Sequence, residues 1–226
     1  MSGGVVVVIP AAGSGSRFGG NVPKQFLPLA GKPILQRVVE RFMLDERVDR
    51  MIVAVSSMLL EVVSQSAEDR VQFVAGGATR LQSVTAAVEA AGECELIVVH
   101  DAVRPFFAAE TFHATLDAAA EYGAALPVVP VADTVHVVAA ERIIATPDRK
   151  ALAAAQTPQC FRAAILRDVL ARAAREGDDA TDEAGLASKY GYEVRTVPGD
   201  SLNFKITRPE DLAMAERVIQ EWGSEE

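Results

Sequence analysis

The chain has 226 residues, half of them apolar, and a formal net charge of −9. That length suits one α/β domain with at most a small appendage, and the acidic balance argues against non-specific nucleic-acid binding. The two cysteines, Cys94 and Cys160, have neither Cys-x-x-Cys spacing nor a histidine placed to complete a zinc site, so they read as buried thiols of a reducing compartment. Val5 to Ile9 is an unbroken β-branched run, too short for a signal peptide or a membrane span. The expectation is a soluble, cytoplasmic protein with no membrane and no nucleic-acid partner.

In chain order, Val5–Ile9 predicts a strand buried on both faces, as in a parallel sheet. A loop rich in Gly and Ser follows to about Gly20. A helix starts near Pro33, with Ile34, Leu35, Val38, Val39 and Phe42 on one face. Met51–Val55 and Val71–Ala75 predict two more strands. A helix over Leu81–Ala91 precedes a strand over Leu96–Val99, and a helix over Ala109–Tyr122 precedes one over Ala124–Val129. This alternation predicts a Rossmann-like, doubly wound, mostly parallel sheet with helices on both faces.

The rhythm breaks after Pro130. Thr134–Val138 and Arg142–Ala145 flank Ala139-Ala-Glu141 and predict a β-hairpin, a candidate dimerisation arm inserted over residues 131–156 of a single 1–226 domain. Helices are predicted over Arg162–Glu176 and Glu183–Tyr190, then a strand over Glu193–Val197. A last helix begins near Thr207, where Thr207 and Glu210 form a capping-box pattern.

The loop Pro10-Ala-Ala-Gly-Ser-Gly-Ser-Arg-Phe-Gly19 leaves the first strand at the edge where open α/β sheets bind ligands. Its small residues let backbone N–H groups approach phosphate, and Arg17 and Lys24 add positive charge. A dinucleotide fingerprint fails, because Phe18 stands where a third glycine is needed and the second strand ends in Ser56-Ser57 without an acid. A Walker loop fails too, since Gly31-Lys32 runs into Pro33. Taken alone, the loop leaves a phosphate site and a plain glycine loop equally open.

Ala11-Ala12-Gly13-x-Gly15-x-Arg17-Phe18-Gly19 with Pro23-Lys24-Gln25-Phe26-Leu27 resembles the signature of 2-C-methyl-D-erythritol 4-phosphate cytidylyltransferases, a branch of the sugar-nucleotide-forming nucleotidyltransferases. Five further motifs occur in the order of that family. These are Gly76-Gly77-x-x-Arg80-x-x-Ser83; His100-Asp101-Ala102-Val103-Arg104-Pro105; Asp148-Arg149 with Gln156-Thr157-Pro158-Gln159; Thr181-Asp182-Glu183-Ala184; and Asn203-x-Lys205-x-Thr207-x-Pro209-x-Asp211. Many members carry an acid where this chain has Ala78.

The resemblance implies a fold of the nucleotide-diphospho-sugar transferase type and a homodimer that exchanges its arms. It implies an enzyme joining CTP to a polyol phosphate with loss of pyrophosphate, in the non-mevalonate route to isoprenoid precursors. Pro10, Ala11, Ala12, Gly13, Gly15, Gly77, Ser83, Asp101 and Ala102 would bind the nucleotide. Asp101, Arg104, Thr134, Arg149, Thr157, Thr181 and Lys205 would bind the polyol phosphate, in part across the dimer. Arg17, Lys24, Arg149 and Lys205 are the expected catalytic cations, and His100 is expected to be structural.

Mg²⁺, or another divalent cation, would be held through the CTP phosphates, with Asp101 a further ligand. Ribitol 5-phosphate is the alternative acceptor, a sugar 1-phosphate with UTP or GTP a more distant one, and a non-catalytic nucleotide-binding regulator the alternative of another class. The chain runs on only briefly past Asp211, and the expectation is that no fused cyclase domain follows.

Overall fold

The computed structural model describes residues 4–13, 22–64 and 69–222. The first strand, β1 (Val5–Pro10), sits at the centre. It pairs in parallel with β4 (Arg50–Val55) on one side and β6 (Leu96–Val99) on the other, and β4 pairs in parallel with β5 (Val71–Ala75). Beyond β6 lie β11 (Gln159–Arg162) and β7 (Ala124–Pro130), with β11 antiparallel to both neighbours. β10 (Ala153–Ala155) and β12 (Arg195–Pro198) also pair with β7. The result is one mixed, mostly parallel eight-stranded sheet.

The β-branched strands alternate their faces, so each supplies two cores. Val6, Val8, Ile52, Ala54, Ile97 and Val99 pack with α3 (Arg80–Ala90), α5 (Ala163–Glu176) and α6 (Glu183–Lys189). Val7, Ile9, Met51, Val53, Val55 and Val98 pack with α1 (Ile34–Met43) and α4 (Ala109–Tyr122). The continuous apolar runs of β1, β4 and β6 follow from burial on both faces.

A third, smaller core holds Leu29, Ile34, Val103, Phe106, Ile206 and Ala215. It joins the short pair β2 (Pro28–Leu29) and β3 (Lys32–Pro33) to the loop after β6 and to α7 (Pro209–Trp222).

Most elements lie where the sequence puts them, within a residue or two. Three were not foreseen: α2 (Ser57–Ser64), the β2–β3 pair, and the return strands β10 and β11. The excursion from the sheet is shorter than 131–156, since Ala153 already pairs with Pro130. Within it β8 (Val137–Ala139) and β9 (Arg142–Ala145) form the expected antiparallel hairpin. Its turn carries Ala140 and Glu141 at φ 46° and 62°, the two left-handed residues of a primed hairpin turn. All of β8 and β9 is exposed, including Val138, Ile143 and Ile144.

The start of α7 also differs from the expected cap. Asp211, not Glu210, reaches back, and its Oδ2 accepts from the N–H groups of Thr207 and Arg208 at 2.8 Å each. Proline at 209 delays the helix, which puts the residue four after Thr207 in reach. Among the described residues no helix is long and apolar enough to cross a membrane.

Candidate active site

The chain leaves β1 for β4 and β5 on one side, then returns to β6 on the other. The strand order therefore reverses between β1 and β6, and a crevice opens at their carboxyl ends. A cleft of about 290 Å³ lies there. Pro10, Ala11, Ala12 and Gly13 line it from β1, Lys24 from a 3-10 turn over Lys24–Phe26, and Gly77 and Ser83 from the loop into α3. Asp101 and Ala102 close its floor beyond β6, and Lys205 stands at the far wall. Ten of the sequence-predicted site residues thus meet in one place.

The first loop is held from below. Ala11 N–H donates to Ala54 O at 2.7 Å, and buried Gln25 donates from Nε2 to Ala11 O at 2.6 Å and Gly13 O at 2.9 Å. Gln25 was not singled out from the sequence, although its neighbour Lys24 was. Lys24 Nζ donates to Ile206 O at 3.3 Å, which ties it to the segment carrying Lys205. Gly15 and Arg17 lie outside the described residues.

The loop before α3 is shaped by its helix. Thr79 and Gln82 form a capping box, and Gln82 Oε1 accepts from Ala78 N–H at 2.8 Å. Ser83 Oγ accepts from Gly77 N–H at 3.2 Å and donates to Thr79 O at 2.9 Å. Thr79 is therefore the cap, and Ser83 sits inside the first turns. Glycine at 76 is required by close approach: a Cβ there would stand 2.5 Å from Ala12 Cβ.

Asp101 is the electrostatic centre. Its Oδ1 faces Arg80 Nε at 3.4 Å, and its Oδ2 faces Arg104 Nε at 3.2 Å and Lys205 Nζ at 3.0 Å. Burial alone would raise its pKa, but Lys205, Arg80 and Arg104 outweigh that and hold the carboxyl well below its ordinary range. Arg80 in turn donates from Nη1 to Glu183 Oε1 at 2.6 Å and Oε2 at 2.9 Å. Glu183 is fully buried, and burial lifts its carboxyl above the ordinary range against the pull of Arg80. Arg80 stood in a quoted motif, yet nothing in the sequence joined it to an acid 103 residues away.

His100 is structural, as expected. It is fully buried between Phe42 and Phe107, and burial lowers its pKa to about 4. Its Nε2 lies 3.0 Å from Arg104 O and its Nδ1 3.2 Å from Thr157 Oγ1. These partners assign the neutral ring with its proton on Nε2, donating to the carbonyl and accepting the threonine hydroxyl. Asp101 N–H donates to that same Thr157 oxygen at 3.1 Å.

Thr157 is therefore buried behind Asp101 and does not line the cleft. Arg104 lies just behind it as well, donating to Asn203 O at 2.7 Å. Thr134 and Arg149 are exposed in the excursion that carries the hairpin, where Arg149 Nη1 donates to Ala132 O at 2.9 Å. Thr181 is exposed ahead of α6, whose cap is Asp182. A single chain does not bring Thr157, Thr134, Arg149 or Thr181 to the cleft lining.

The described lining offers no cysteine or histidine nucleophile, and its Ser83 and Thr79 hydroxyls are spent on backbone. What it does offer is cationic side chains beside a backbone cradle, which suits a polyphosphate. For a divalent cation, Asp101 is the one carboxylate of the described lining, and no group of three or more metal-ligating side chains occurs among the described residues. Mg²⁺ commonly takes one or two carboxylates and completes its shell with phosphate and water, so the donor set fits an ion carried in by phosphates.

Comparison with known proteins agrees. The family model described as IspD, 2-C-methyl-D-erythritol 4-phosphate cytidylyltransferase, matches residues 5–221. A protein of that name from Solibacter usitatus is 41% identical, with 96% of each chain covered. Another, from Frankia casuarinae, is 42% identical over 95% of this chain and 81% of its own. The crystal structure of the 2-C-methyl-D-erythritol 4-phosphate cytidylyltransferase from Thermus thermophilus matches with a TM-score of 0.79 and 36% identity, covering 97% of this chain and 100% of that one. These relatives carry the methylerythritol name, which disfavours the ribitol alternative. Ordered motifs, a switch-point cleft and near full-length likeness agree, and the chain belongs to the 2-C-methyl-D-erythritol 4-phosphate cytidylyltransferase family.

Proposed function

We propose that this cleft transfers the cytidylyl group of CTP to 2-C-methyl-D-erythritol 4-phosphate, the reaction of its family in the non-mevalonate isoprenoid route. The acceptor's phosphate oxygen attacks the α-phosphorus. The bond from that phosphorus to the oxygen of the β-phosphate breaks, and pyrophosphate leaves with the bonding pair. The products are 4-diphosphocytidyl-2-C-methyl-D-erythritol and pyrophosphate. The observation that carries this reading is the convergence of Lys24, Arg80 and Lys205 on a backbone cradle at the switch point.

The acceptor phosphate is ionised at neutral pH, so no general base is required. The barrier is electrostatic: two anions meet, and charge grows on the bridging oxygens. Positioning and fixed positive charge then supply most of the rate enhancement. Lys24 and Arg17 act on the α-phosphorus and the leaving pyrophosphate, while Lys205 and Arg149 hold the attacking phosphate. Arg17 enters by its place in the motif. Asp101 orients Lys205 and Arg104, and Thr157 orients Asp101. Mg²⁺, or another divalent cation, neutralises triphosphate charge when bound. The reaction belongs in the cytoplasm, a reading supported by two unpaired cysteines.

Arg149 and Thr134 reach a cleft as part of a homodimer, each arm serving the partner's site. Exposed Val137, Val138, Ile143 and Ile144 on the hairpin favour this arrangement.

Two experiments test the reading. Pyrophosphate release is expected with CTP and 2-C-methyl-D-erythritol 4-phosphate, and far less with ribitol 5-phosphate, UTP or GTP. Equal turnover on ribitol 5-phosphate would overturn the acceptor, and CTP binding without release for any acceptor would favour the regulator. For the arm, Lys24→Ala and Arg149→Ala proteins are each expected to be nearly inactive. Unfolded together and refolded, they should regain about a quarter of wild-type activity, because half the dimers are mixed and each mixed dimer keeps one intact site. No recovery would place Arg149 in its own chain's cleft.

A further inference from the structure

Glu183 is a fully buried carboxylate at the first position of α6, outside the cleft lining. It accepts both hydrogen bonds of Arg80 Nη1, at 2.6 and 2.9 Å, the pattern of an ionised acceptor. The helix start that carries it is itself fixed. Buried Gln159 donates from Nε2 to Asp182 Oδ2 at 2.8 Å and accepts from Ala184 N–H at 3.0 Å. The carboxylate is therefore presented to Arg80 by a braced backbone.

Arg80 divides its charge unequally, standing 2.6 Å from Glu183 but 3.4 Å from Asp101. The other oxygen of Asp101 is left to Arg104 and Lys205. With Glu183 wholly buried and Arg80 largely so, such a pair seldom adds stability over an apolar pair of similar volume, so its presence calls for another reason.

We propose that Glu183 is a positioning residue for the transfer reaction: it draws Arg80 back from Asp101 and so leaves Asp101 free to orient Lys205 toward the acceptor phosphate. Without that charge, Arg80 closes on Asp101 and competes with Lys205 for it. The proposal rests on the role given to Lys205 above. It extends the site by a residue that touches no substrate and lies 103 positions from its partner.

Charge and shape are separable here. Glutamine keeps the size of Glu183 and loses its charge, whereas aspartate keeps the charge and shortens the arm. Glu183→Gln is expected to lower kcat by about tenfold to a hundredfold. Glu183→Asp should remain several-fold more active than Glu183→Gln. Equal activities, or a more active glutamine variant, would mean that only shape matters, and the proposal fails.

The doubly apolar Arg80→Met/Glu183→Met protein guards against misfolding, because it buries no unpaired charge. It is expected to melt at or above the wild-type temperature and, with no Arg80 left to compete with Lys205 for Asp101, to recover kcat several-fold above Glu183→Gln, while the lost Arg80 charge at the cleft raises KM. A stable double variant with a kcat no higher than that of Glu183→Gln would show that Arg80 does not compete with Lys205, and the proposal fails. Wild-type protein that releases no pyrophosphate with any acceptor would instead overturn the functional reading, which keeps the two failures distinct.

Discussion

Lys24→Ala is expected to lower kcat by about a hundredfold or more, the usual loss when one charged stabiliser of a transition state is removed. The protein should still fold. Lys24 sits in a 3-10 turn at the cleft mouth and is only partly buried, and the turn is held by Phe26 N–H to Pro23 O at 2.9 Å. Gln25 keeps its grip on the first loop whether or not the lysine is present. The measurement pairs steady-state pyrophosphate release with a thermal melt. Turnover near the wild-type level in a normally melting variant would remove Lys24 from the mechanism.

Asp101→Asn should damage both activity and stability. Arg80, Arg104 and Lys205 now share two carboxylates, Asp101 and Glu183, and the variant leaves them one. Stripping one partner from a buried charge cluster costs about 3 kcal/mol or more, and kcat should fall by about a hundredfold as Lys205 loses its guide.

The stability cost also has a pH signature. In the unfolded chain Asp101 takes up a proton near its ordinary value of 3.8, whereas the folded carboxyl is held well below that. Its contribution is whole above 3.8 and is lost as pH falls from there toward the folded value. Chemical denaturation of the two proteins should therefore show a gap that is constant near neutrality and narrows below pH 3.8. A gap that does not narrow would mean that the asparagine acts through packing instead of charge.

The parts of this molecule that sequence reasoning reached are those with local cause. The β-branched runs of β1, β4 and β6 announce strands buried on both faces. The helices after Pro33, before Gly123 and before Gly177 carry both an apolar stripe and a terminus signal. The hairpin also showed, because β-prone pieces flank a short connection.

β11 did not show. Gln159-Cys-Phe-Arg162 has no alternation, and it becomes a strand because β6 and β7 leave a slot between them. The helix α2 was passed over because Ser57-Met-Leu-Leu-Glu-Val-Val-Ser64 is a short, largely apolar run that periodicity alone does not separate from a buried strand. The cleft followed the same rule. Lys24, Asp101 and Lys205 stand in motifs, but the Arg80–Glu183 pair and the Thr157–Asp101 contact are tertiary, and only folding joins them.

The third core changes what an inactivating substitution means in this protein. Leu29, Val103, Phe106 and Ile206 lie outside the two large cores, yet each stands within about five residues of Lys24, Arg104 or Lys205 in the chain. Lys24 even hydrogen-bonds the carbonyl of Ile206. The residues of the central sheet strands pack in the two large cores and none of them in this third one. Shortening Ile206 or Phe106 should therefore cost activity out of proportion to stability, as the three cations lose their mutual spacing. In a genetic screen such changes would score with active-site mutants, and a drug-resistance map of the cleft would extend into this dry cluster behind it.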